Sequence, residues 1–154
     1  MIRPSRSSWL ILSLILCVAV WACPIVFETG YGGSVIAKIS PQVLNPIRLA
    51  VRRLPGLEGP RDVKTGNPDC GYYGKALTQT GVRVAISECY YGSAKDLSSE
   101  EEYWVSVSVG TRREGRLPEV RAEVHELLQQ ISRVIQKFLP AEKITIREEP
   151  PFVF

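Results

Sequence analysis

The stretch PEVRAEVHELLQQISRVIQKFL, Pro118 to Leu139, decides how the rest of the chain is read. Val120, Val124, Leu127, Leu128, Ile131, Val134, Ile135 and Phe138 recur at three- and four-residue spacing, the stripe of a helix with one buried face. Glu119, Glu123 and Glu126 lie in its first half and Arg133 and Lys137 near its end, as the helix dipole favours, and Pro140 stops it. A helix this amphipathic needs an apolar layer to lie on. The nearest is just upstream, where Tyr103–Val109 alternates strictly: Val105, Val107 and Val109 point one way, Trp104, Ser106 and Ser108 the other. Downstream, Ile144 and Ile146 make a final strand of Lys143–Glu148. Strand, helix and strand in this order imply a right-handed crossover between parallel strands.

A hairpin precedes these elements. Thr78-Gln-Thr-Gly81 reads as its turn, between Tyr72–Leu77 and Val82–Ser87. Pairing Leu77 with Val82 places Cys70 opposite Cys89, at a separation that permits a disulfide closing about twenty residues. The two cysteines head similar runs, Cys70-Gly-Tyr-Tyr-Gly74 and Cys89-Tyr-Tyr-Gly92. Tyr72, Tyr73, Tyr90 and Tyr91, together with Trp104, form a candidate partner surface, although tyrosines so placed more often cover a sheet edge with their hydroxyls in water.

Towards the N-terminus, Trp9 to Phe27 is a run of nineteen residues without a charge. As a helix it would be about 28 Å long, the thickness of a bilayer core. Arg3 and Arg6 precede it, so the positive-inside rule keeps residues 1–8 in the cytoplasm and sends residue 28 onward across the membrane, periplasmic if the chain is bacterial. Two other readings leave a different mature protein: cleavage after Ala22, or lipidation at Cys23. Gly30, Gly32 and Gly33 then suggest a flexible exit. Residues 28–68 read as a linker carrying one short basic helix from Asn45-Pro46 to Leu54, with Ile47, Ala50, Val51 and Leu54 on one face and Arg48, Arg52 and Arg53 flanking it. That helix either docks on the domain or lies on anionic headgroups.

The fold class expected from these elements is α+β: an N-terminal transmembrane helix over 9–27, then a two-layer domain over 69–149 of hairpin, third strand, long amphipathic helix and final strand. Residues 150–154 are expected to form an apolar tail. In it Phe152 and Phe154 either fold back on the sheet or, beside the terminal carboxylate, offer a strand for capture by a partner.

Chemistry-bearing patterns are sparse. His125 is the only histidine and lies off the apolar stripe without a neighbour at metal-ligand spacing. No nucleophile elbow or phosphate loop is present. No catalytic residue, metal or cofactor is therefore assigned, and a formal net charge of +3 does not point to nucleic acid. The expected function is a membrane-anchored, extracytoplasmic interaction domain, an accessory subunit of a membrane or envelope complex whose partners are the bilayer and a protein. A small secreted enzyme or inhibitor is the alternative.

Overall fold

In the computed structural model, residues 29–59, 69–92, 99–111 and 117–153 are described. They form β1 (Thr29–Ile39), α1 (Pro41–Arg52), β2 (Leu57–Glu58), β3 (Cys70–Ala76), β4 (Arg83–Tyr90), β5 (Glu101–Thr111), α2 (Leu117–Ile135), a 3₁₀ turn (Ala141–Lys143) and β6 (Ile144–Val153). The six strands make one sheet in the order β2-β3-β4-β5-β1-β6, and every neighbouring pair is antiparallel.

The hairpin has the expected register. Leu77 N–H donates to Val82 O at 2.8 Å, and Gly81 closes the turn with φ +66°, a left-handed conformation that glycine adopts without strain. Cys70 stands opposite Cys89, and the two form a disulfide with Cα atoms 4.2 Å apart. In the folded protein both sulfurs should therefore resist alkylation until a reductant is added. Reduction should lower stability by about 3 kcal/mol, readable in urea titrations with and without reductant.

The expected fold class is corrected in two respects. First, the glycine-rich segment taken for a flexible exit is β1, which lies between β5 and β6 and whose residues are buried from Gly30 to Ala37. Its glycines answer a demand for space. A Cβ on Gly33 would stand 2.5 Å from Leu128 Cδ1 and 2.7 Å from Arg147 O, and one on Gly32 would stand 2.7 Å from Val107 O. Second, β5 and β6 do run parallel to each other, but β1 separates them, so they share no ladder. The sandwich also has two helices on its covered face, where one was expected.

Among the described residues no helix is long and apolar enough to cross a membrane. The run 9–27 with its boundary residues Trp9 and Phe27, the cleavage point after Ala22 and Cys23 all lie outside the described residues. The single-pass membrane placement is corrected to this extent: no helix among the described residues is long and apolar enough to support it.

α1 begins at Pro41, one turn earlier than expected, with Ser40 as N-cap and Pro46 inside. The earlier start adds Leu44 to the stripe, and Leu44, Ile47, Val51 and Leu54 all enter the core. Of the two expectations for this helix, docking on the domain is the one realised. α2 buries Val120, Val124, Leu127, Leu128, Ile131 and Ile135, whereas Phe138, beyond its last turn, stays exposed. Sheet residues meeting this layer include Tyr31, Val35, Ala37 and Ile39 of β1, Val84 and Ile86 of β4, and Tyr103, Val105, Val107 and Val109 of β5.

The C-terminal segment is not a detached tail. β6 continues through Pro150 and Pro151, and its backbone pairs with β1 as far as Gly30↔Phe152 and Thr29↔Val153. A register shift between Gly30 and Gly32 leaves both prolines opposite Tyr31, so the bulge falls where residues lacking an N–H can be tolerated on an edge strand. Phe154 lies outside the described residues.

Candidate functional site

Strand parity divides the expected tyrosine cluster between two faces. Tyr73 and Tyr90 are buried on the helix side, while Tyr72, Tyr91 and Trp104 belong to the opposite side, which neither helix covers. The register aligns this open face in rows. One runs Arg147–Ser34–Ser106–Ser87–Tyr72, and the next runs Thr145–Ile36–Trp104–Cys89–Cys70. Ser34 and Ser106 share a hydrogen bond at 3.0 Å across β1 and β5. Trp104 donates its indole N–H to Glu102 Oε2 at 2.9 Å and meets Tyr91 edge to face, with ring centroids 6.0 Å apart. Tyr91 is 63% exposed, and the guanidinium of Arg147 lies 6.0 Å from the Trp104 ring centre. The result is a floor of glycine, alanine and serine with aromatic side chains standing at one end. A cleft of about 460 Å³ adjoins it, lined in part by Ile36, Lys38, Glu102 and Arg147.

The covered face holds a polar group that the sequence reading missed. Glu88 of β4 is fully buried. Its Oε1 accepts from Arg52 Nε and Nη2 at 3.1 and 2.8 Å and from Tyr73 Oη at 2.9 Å, and its Oε2 accepts from Tyr103 Oη at 2.6 Å. Arg52 comes from the last turn of α1 and lies 5.8 Å from the Tyr73 ring centre. Gly71, opposite Glu88 in the ladder, lies so close that a Cβ there would be 2.8 Å from Glu88 Oε1. The signal was present: extending the alternation Val82, Val84, Ile86 by two residues puts Glu88 on the core face. A carboxylate on an apolar stripe requires donors from elsewhere.

Burial, and then the hydrogen bond and negative charge of Glu88, push the Tyr73 phenol up to about 12, and Tyr103 is raised by burial and the same carboxylate. An unfolded tyrosine ionises near pH ~10. Between that pH and about 12 the unfolded state loses its proton first, so this contribution to stability is present below pH ~10 and falls as the pH rises. The expected result is alkaline unfolding coincident with tyrosinate absorbance, with a shallower loss of stability above pH ~10 in Tyr103→Phe, which lacks one of the phenols that must ionise.

His125 is not simply solvated. Its Nδ1 contacts Glu148 Oε1, while Glu148 Oε2 accepts from Tyr31 Oη at 2.6 Å. The Tyr31 hydrogen bond and then that of His125 hold the Glu148 carboxyl below its ordinary range. Among the described residues no group of three His, Cys, Asp or Glu side chains is placed to hold a metal ion.

No family model, curated protein or solved structure matches this chain. Its chemistry is therefore read from its own residues. The structure brings Cys70, Cys89, Tyr72, Tyr91 and Trp104 to one face, and it separates Tyr73 and Tyr90 from them. Phe152 joins the sheet through its backbone at the opposite edge from Tyr72.

Proposed function

We propose that this chain is an interaction domain that offers the open face of its sheet to a protein partner. The observation that carries this reading is the Trp104–Tyr91 pair, standing on a sheet face that no described element covers. Rigid aromatic side chains give a partner contact area at little cost in conformational entropy, and beside them Ser87 and Ser106 are small and half-exposed and Ser108 is exposed. The Glu88 group gives less support to an enzyme. Its carboxylate is enclosed and both oxygens are occupied, so it offers no free acceptor to a substrate.

Photo-crosslinking side chains placed at Ser106 and Ser108, in cells of the source organism, test the reading against the same probes at Arg133 on the outer side of α2. Discrete protein adducts are expected from the first two positions only, and they should vanish when Trp104→Ala is added to a domain whose circular dichroism is unchanged. Equal adducts from Arg133, or none from the sheet face, would sink the proposal.

A further inference from the structure

The start of β3 is held differently from the rest of the sheet. On its outer side β3 pairs with β2 only at Gly74 and Lys75, so among the described residues Cys70 to Tyr73 have a ladder partner on β4 alone. Further ties fasten this end. Asp69 O accepts from Tyr90 N–H at 3.2 Å, Arg48 of α1 donates to the same oxygen, and the Cys70–Cys89 disulfide joins the strands. Beneath them lies the Glu88 carboxylate, covered by Gly71 and bound by Tyr73. Cys70 borders a cleft of about 210 Å³ on the helix side with Arg52, Leu57, Gly59, Gly71 and Tyr73, while strand parity places its side chain with that of Cys89 on the open face, where both are half-exposed.

From this arrangement we infer that the disulfide is a reducible latch: a dithiol reaching the half-exposed bond from the open face cleaves it in the folded protein and releases residues 69–73 from over Glu88. A thiolate of the reductant attacks Cys70 Sγ, the S–S bond breaks, and Cys89 leaves as a thiolate that takes up a proton. The second thiol of the reductant then attacks its own sulfur in the mixed disulfide and frees Cys70. Two electrons and two protons pass to the cystine, and the dithiol becomes a disulfide. Opening takes Tyr73 out of the core, but the rest stays assembled because most of its apolar contacts come from α1, α2 and strands β1, β4 and β5. Only the edge that the bond fastens opens.

Treating the full chain with a small dithiol in the absence of denaturant, and following free thiols together with amide hydrogen exchange, tests the latch. Both thiols should appear, and exchange at residues 69–73 should become fast by local opening in a chain that stays folded, remaining far faster than exchange in β5 and α2, which accelerates only by the loss of global stability. The Cys70→Ser, Cys89→Ser double variant should show the same local opening without any reductant. Reduction that waits for global unfolding, reduction that leaves exchange at 69–73 unchanged, or a double variant that is unfolded throughout would each overturn the inference.

Discussion

Glu88→Ala is expected to destabilise the domain by about 3–5 kcal/mol, measured as a shift of the urea midpoint at constant slope. The cost arises from what remains. Arg52, Tyr73 and Tyr103 all direct donors at the vacated position, and two of the three are buried. Glu88→Gln keeps an acceptor and most of the volume, so it should cost clearly less. Tyr73→Phe and Tyr103→Phe each remove one donor from a carboxylate that keeps its other partners, and about 1 kcal/mol apiece is expected. If Glu88→Ala proved as mild as Tyr73→Phe, water would have to reach the site and replace the missing acceptor. The enclosure of the group would then be wrong.

The elements with local signals were the ones the sequence disclosed. Gly81 marked the turn, two-residue alternation marked β4 and β5, and three-and-four spacing marked α2, so the Cys70–Cys89 pairing followed from arithmetic along one hairpin. β1 failed because Gly30, Gly32 and Gly33 were read by their flexibility. The role of Gly33 depends on Leu128 and Arg147, about a hundred residues away, and that of Gly32 on Val107, which local pattern reading does not see. Missing β1 had two consequences: β5 and β6 were paired directly, and Tyr31, Val35, Ala37 and Ile39 were omitted from the core. Parity also explains the divided tyrosines. Adjacent residues such as Tyr72 and Tyr73 point to opposite faces of a strand, so a four-tyrosine platform on one surface was excluded by geometry. Glu88 lay open to the same parity reasoning, but its partners Arg52, Tyr73 and Tyr103 come from three other elements.

Leu128→Asp is expected to leave the domain unfolded at room temperature. Leu128 is fully buried on α2 and reaches the sheet where Gly33 of β1 makes room for it, so a carboxylate there would have neither water nor a donor. Loss of near-ultraviolet circular dichroism and of a cooperative thermal transition is the readout. The same seam can be approached from the strand. Gly33→Ala inserts a methyl group against Leu128 Cδ1 and against the carbonyl of Arg147, and overpacking of this kind costs about 1–3 kcal/mol. Leu128→Ala by itself opens a cavity worth about 2–5 kcal/mol. In the Gly33→Ala, Leu128→Ala double variant the side-chain clash disappears while the clash with the backbone oxygen stays, so the combined loss should fall short of the sum of the two single losses. Strict additivity would mean that Gly33 and Leu128 do not touch. β1 would then not lie under α2, and the placement of β1 between β5 and β6 would fail with it.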